Sequence, residues 1–306
     1  MSELPPHVTI REVSLRDGLQ IEQPVPLAAK LDLLAAVAAT GVREVEVTSF
    51  VSPTKVPALA DAAELAAELW RYPDIAFSAL VASPGGAGRA VAAGLKSIEY
   101  VVCATDTFSQ TNVGRPTAEA TAAIADITRI AHQADASVEV IIATAWDCPF
   151  EGPTPPQRVI DIAAAATELG VDRLSIADTI GTTTPRRVTD LIAALRPVID
   201  GIPLGGHFHN TRGAGLASAY AAVSAGVTRL DASVGGLGGC PFAPGATGNI
   251  ATEDLVYLLR DSGIETSVDL PAAIAAAETA KAVVGHDLPG AVLRAGDRKL
   301  AADDDR

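Results

Sequence analysis

The chain alternates short runs rich in β-branched residues with longer alanine- and leucine-rich stretches. Short apolar runs bounded by turn residues read as strands, and longer runs with helical period read as helices. Eight strands are predicted, at Val8–Val13, Glu44–Ser49, Ile75–Val81, Ser97–Val102, Ser137–Ala143, Arg173–Ala177, Leu204–His209 and Arg229–Ser233. A helix follows each, near Leu27–Ala39, Leu59–Trp70, Gly86–Ala93, Ala118–Ala134, Pro156–Leu169, Pro185–Leu195, Ala214–Ala225 and Thr252–Ser262. A last helix near Pro271–Val284 comes after the eighth unit. Many of these helices stop at a glycine (Gly41, Gly94, Gly170, Gly226, Gly263), the residue that accepts the left-handed conformation of a helix end.

Strand–helix units in series build a parallel sheet, and the simplest closed packing of eight is an α/β (β/α)8 TIM barrel, here with an extra C-terminal helix. An open doubly wound sheet is the alternative. No G-x-G-x-x-G turn follows strand one, which disfavours a dinucleotide fold. No low-complexity linker divides the 306 residues, so a single catalytic barrel domain over residues 1–306 is expected. Residues 264–306 would form a helical extension and a flexible acidic tail.

With 48% hydrophobic and 20% charged residues, the composition is that of a globular protein with a large core. The net charge of -14 makes nucleic acid or an anionic membrane an unexpected partner, and a small anionic substrate would need a cation or arginines. No segment has the roughly 18 uninterrupted apolar residues of a membrane span. The first residues lack the basic and apolar regions of a signal peptide. Three widely spaced cysteines (Cys103, Cys148, Cys240) form no disulfide framework, so a reducing, cytoplasmic setting is expected.

In a barrel, function collects at the C-terminal ends of the strands. Arg16 and Asp17 follow strand one. Strand two carries Glu44, Glu46 and Thr48 on one face, with Val45 and Val47 on the helix-facing side. Strand six ends at Asp178. On strand seven His207 and His209 project together while Phe208 points oppositely. Strand eight leads into a glycine-rich loop with Cys240, then Asn249. Each residue also has a purely structural reading: an ion pair in a turn (Arg16, Asp17), half of a buried pair (Glu46), helix caps (Asp178, Asn249), core histidines, a small buried cysteine. Together those readings require several coincidences at one rim. An Asp oxygen, two His nitrogens and an Asn oxygen form a donor set that suits Mg²⁺ or Mn²⁺ better than Zn²⁺.

The segments REVSLRDGLQ, EVEVTSFVSPTKVP, ADTIG, HFHNTRG and GGLGGCPFAPGATGNIATEDLVYLL resemble the 3-hydroxy-3-methylglutaryl-CoA lyase family. The resemblance runs from Val8 to Ser262, and the Gly-Cys-Pro loop with GATGN is its most specific part. The R-D-G turn and the H-x-H strand are shared with isopropylmalate and homocitrate synthases, which usually carry an additional C-terminal region. The resemblance implies a homo-oligomer, such as a dimer, and an acyl-CoA substrate cleaved by retro-Claisen chemistry to acetyl-CoA and a keto acid. For the parent substrate that acid is acetoacetate. It further implies that Asp17, His207, His209 and Asn249 hold a divalent cation. Arg16 would stabilise the enolate, Glu46 would orient Arg16 and the metal, and Cys240 would transfer a proton from a mobile loop. His207 and Asp17 are the candidates to accept the hydroxyl proton.

Two stretches depart from the family. Where it commonly reads H-C-H-D-T-Y-G, this chain has Asn210 and Arg212. Where it often reads G-L-Q-N-E-K, this chain has Gln23 in place of lysine, after Gln20. Asn210 and Arg212 are therefore expected beside the substrate, together with Gln20 and Asp178, and the departures leave the acyl group open. Citramalyl-CoA and longer branched 3-hydroxyglutaryl-CoA thioesters are alternatives. So is a synthase-type transfer that condenses acetyl-CoA with a 2-oxo acid.

Overall fold

A computed structural model describes residues 4–239 and 248–298. Eight strands close into one parallel barrel: β1 (Thr9–Glu12), β2 (Glu44–Ser49), β3 (Ala76–Val81), β4 (Ser97–Cys103), β5 (Ser137–Ala143), β6 (Arg173–Asp178), β7 (Leu204–Phe208) and β8 (Arg229–Ala232). Neighbours in sequence are neighbours in space, and β8 closes on β1 with Arg11 opposite Asp231. The sequence places all eight to within two residues, the ordinary uncertainty of element ends.

The helices pack outside. In α8 (Pro185–Leu195) the buried residues Val188, Leu191, Ile192 and Leu195 form one stripe at three- and four-residue spacing. Val45 and Val47 of β2 are fully buried on the helix-facing side, as their alternation with Glu44 and Glu46 predicts. The C-terminal helix α11 (Leu270–Val284) starts at Asp269, whose side chain accepts a hydrogen bond from Ala272 N, and packs on α1 (Leu27–Ala39). A short helix, α12 (Ala291–Ala295), follows it.

Three local features depart from the expected pattern. The helix expected at Leu59–Trp70 is only α2 (Ala62–Ala66), flanked by 3₁₀ turns at Pro57–Leu59 and Leu69–Arg71. The helix expected at Ala118–Ala134 is α5 (Thr117–Ala122) followed by α6 (Ile124–His132). Before them stands α4 (Asp106–Val113), whose polar sequence DTFSQTNV carries no apolar stripe to announce it. Tertiary contacts hold it: Phe108 is buried, and Asp106 accepts a hydrogen bond from Thr117 N at 2.8 Å. A backbone turn at Gly114 (φ 75°) then ends it.

The barrel interior is charged. Arg11 lies inside it, 2.6 Å from Glu99, 2.8 Å from Glu139 and 2.7 Å from Asp231, and all four are buried. Arg229 pairs with Glu139, and Glu44 pairs with Arg173 at 3.1 Å. β7 meets this network with glycine. A Cβ on Gly205 would collide with Ser175 Oγ and the Arg229 guanidinium.

Candidate active site

Between β1 and α1 the backbone makes a single π-helical turn, Ser14–Gly18, which carries Arg16 and Asp17 to the top of the barrel. Such turns are rare and recur at functional sites. Arg16 Nη1 lies 2.6 Å from Asp17 Oδ1, and Arg16 Nη2 lies 2.6 Å from Glu46 Oε2 on β2. Gln20 Oε1 is 3.5 Å from the same Nη1. Burial disfavours the charge on Arg16, but Glu46 and Asp17 outweigh it and hold the guanidinium firmly cationic.

The two histidines project together from the end of β7, as the two-residue period requires. Their Nε2 atoms are 3.1 Å apart, and His209 Nε2 is 3.9 Å from Asp17 Oδ2. Asp17, His207 and His209 can each offer one ligand atom, all within 4.8 Å of one another. Burial opposes ionisation of Asp17, yet Arg16 and the imidazoles overcome it and hold its carboxyl far below the usual range.

Asn249 reaches the cluster from across the glycine-rich loop, where it bridges to His209 through the backbone. Its Nδ2 donates to Asp17 Oδ2 at 2.8 Å and to Leu237 O at 3.1 Å. Its Oδ1 is buried and has no hydrogen-bond partner among the described residues. A carboxylate, two imidazoles with converging nitrogens and a buried amide oxygen make a mixed oxygen–nitrogen donor set. That set fits a divalent cation.

The cluster opens into a cavity of about 1450 Å³ lined by Arg16, Asp17, Gln20, His207 and His209 at one end. Leu80, Val101, Phe108, Ile141 and Ala143 supply apolar wall. Glu46 lies behind Arg16 and is fully buried. Burial and the nearby Glu99 carboxylate push its carboxyl up, against the pull of Arg16.

Asp178, Asn210 and Arg212, expected beside the substrate, are not among the residues that line the cavity. Asp178 is buried and accepts hydrogen bonds from Thr182 N (3.0 Å) and Thr183 N (3.1 Å). Its neighbours Ala177 and Thr179 line the cavity. Asn210 Oδ1 accepts from Gly215 N at 3.0 Å, at the start of α9 (Gly215–Ser224). Arg212 Nη1 donates to the carbonyls of Ile180 (2.9 Å) and Gly181 (3.2 Å), tying the loop after β7 to the loop after β6. Cys240 and the loop to residue 247 lie outside the described residues.

Sequence reasoning overlooked Asp231, which meets His207 Nδ1 at 3.0 Å, and Arg11 behind it. The signal was present. Glu99 and Glu139 are single charges in otherwise apolar strands, and β1 and β8 each carry two, Arg11 with Glu12 and Arg229 with Asp231, whereas strands buried on both faces normally read as continuous apolar runs.

A family model described as HMGL-like matches residues 7–280. The chain belongs to the HMGL-like family. It is 36% identical over 292 residues to the hydroxymethylglutaryl-CoA lyase of Bacillus subtilis, covering 95% of this chain and 97% of that one. It is 38% identical over 300 residues to the (R)-citramalyl-CoA lyase of Chloroflexus aurantiacus, covering 94% and 95% of the two chains. Among solved structures, an HMG-CoA lyase of Acinetobacter baumannii in complex with coenzyme A and 3-methylmalate superposes with a TM-score of 0.92. It shares 38% identity with this chain, and the match covers 98% of each. The HMGL-like barrel is therefore shared along nearly its whole length.

Proposed function

We propose that this HMGL-like enzyme is a divalent-cation-dependent carbon–carbon lyase. It cleaves 3-hydroxy-3-methylglutaryl-CoA, or a close analogue, to acetyl-CoA and a keto acid, acetoacetate for the parent substrate. The observation that carries this reading is the convergence of Arg16, Asp17, His207, His209 and Asn249 at the end of one large cavity.

Asp17, His207, His209 and Asn249 would hold the cation, Mg²⁺ or Mn²⁺ in preference to Zn²⁺, given the oxygen-bearing donors. When bound, the cation polarises the substrate hydroxyl and carboxylate. The tertiary hydroxyl gives up its proton to a water in the cavity, and the C2–C3 electron pair moves onto C2 to form the thioester enolate. Arg16 faces that developing charge from a buried position, where a fixed cation is worth far more than in water. Glu46 keeps the guanidinium aimed. Asp17, held strongly acidic, is a poor acceptor for the hydroxyl proton. Cys240 is assigned the return of a proton to C2. We place Gln20 at the acyl end of the cavity, with Asp178, Asn210 and Arg212 shaping the loops around it. The protein is assigned as a single-domain cytoplasmic homodimer. Among the described residues no helix is long and apolar enough to cross a membrane.

A second substrate has specific support. The citramalyl-CoA lyase is as similar to this chain as the hydroxymethylglutaryl-CoA lyases are. A panel of 3-hydroxyacyl-CoA thioesters, assayed with Mg²⁺ or Mn²⁺ and product identification, tests both. Cleavage of one member to acetyl-CoA is the expected result. Condensation of acetyl-CoA with a 2-oxo acid, without cleavage of any thioester, would instead make the protein a synthase.

A further inference from the structure

The two histidines of the cluster are held differently. His207 stands opposite Asp231 in the β7–β8 register, and both side chains point into the barrel. Asp231 Oδ2 lies 3.0 Å from His207 Nδ1 and accepts from Arg11 Nη2 at 2.7 Å, while Oδ1 accepts from Arg11 Nε at 2.9 Å. Arg11 Nη1 is engaged by Glu99 and Glu139. His209 Nδ1, by contrast, is buried with no hydrogen-bond partner among the described residues.

We infer that Asp231 is a positioning residue for the cation, clamped by Arg11 and acting through His207. The inference rests on the reading of His207 as a metal ligand. A neutral imidazole carries one donor and one acceptor nitrogen. With Nδ1–H donated to Asp231, the lone pair is on Nε2, the nitrogen that faces His209 and the Asp17 side of the cluster. Without that acceptor the ring is free to place its proton on Nε2, and that tautomer cannot bind a metal there. The planar guanidinium of Arg11 grips Asp231 through two parallel hydrogen bonds, so the carboxylate cannot turn away. Partners of this kind typically set metal affinity by about 10–100-fold.

The test is Mn²⁺ binding to the metal-free full-length protein, followed by electron paramagnetic resonance of free Mn²⁺. Wild type, His207→Ala, Asp231→Ala and Asp231→Asn are compared, each checked for folding by circular dichroism. Asp231→Ala leaves Arg11 paired with Glu99 and Glu139 and should weaken Mn²⁺ binding about 10–100-fold. Asp231→Asn keeps an oxygen acceptor for Nδ1–H and should return affinity to within about threefold of wild type. Unchanged affinity in Asp231→Ala, with His207→Ala impaired, overturns the inference alone. Wild-type binding that does not depend on His207 overturns the ligand reading as well. Wild-type protein labelled with ¹⁵N-histidine and loaded with Mg²⁺ gives a check that needs no variant to fold. His207 should carry its proton on Nδ1, and a proton on Nε2 overturns the inference.

Discussion

Arg16 Nη2 lies 2.6 Å from Glu46 Oε2, and both side chains are buried beneath the cavity. A cation fixed in this way opposes enolate charge without reorganising. Replacing Arg16 by methionine keeps much of the volume and removes the charge. Turnover should fall about 10²–10³-fold, the usual cost of losing one such donor. Steady-state kinetics at saturating Mn²⁺ check this, and a loss confined to KM would contradict the role.

Asp17 joins the histidines to Arg16 and to Asn249. Asp17→Ala should abolish cation-dependent turnover and Mn²⁺ binding together. A variant that binds Mn²⁺ as wild type does would remove Asp17 from the ligand set.

Cys240→Ala should keep Mn²⁺ affinity and lose about 10²–10⁴-fold in turnover, the range for a general acid. Unchanged turnover would leave the proton transfer to another group.

Gly205→Ala tests the packing of the charged interior. The added methyl meets Ser175 and Arg229 with no room to move, because Arg229 is held by Glu139. The expected destabilisation is about 1–3 kcal/mol, the range for overpacking a core. Urea denaturation measures it, and a change below about 0.5 kcal/mol would mean that the network yields.

Glu253 sets a pH dependence. Burial, opposed by its hydrogen bond from Gly235 N, pushes its carboxyl up to about 8. The folded protein therefore keeps this proton in a range where the unfolded chain has lost it. The group costs stability as pH rises from the ordinary glutamate range through about 8. Glu253→Gln keeps an acceptor for Gly235 N and should melt about 2–4 °C above wild type at pH 9, with the gap closing near pH 5. An equal gap at both values would show that the effect is not ionisation.

The sequence by itself determined the barrel and its rim. Strand and helix periods are local properties, so all eight strands fall close to where alternation places them. Arg16, Asp17, His207 and His209 were legible because they stand at or just past the C-terminal end of a strand, where a parallel barrel collects chemistry, and Glu46 because it alternates with Val45 and Val47 along β2. Helix α4 was not legible, because contacts with residues outside it hold it in place. Asn210 and Arg212 follow the histidines directly, yet the structure turns them to a helix start and to the carbonyls of a neighbouring loop. The Arg11–Asp231–His207 chain was also decided only in three dimensions. Arg11 and Asp231 are 220 residues apart, and closure of β8 on β1 brings them together. A charge in a strand shows in sequence, but its partner is chosen by register and by the low-dielectric interior, where an unpaired charge is costly.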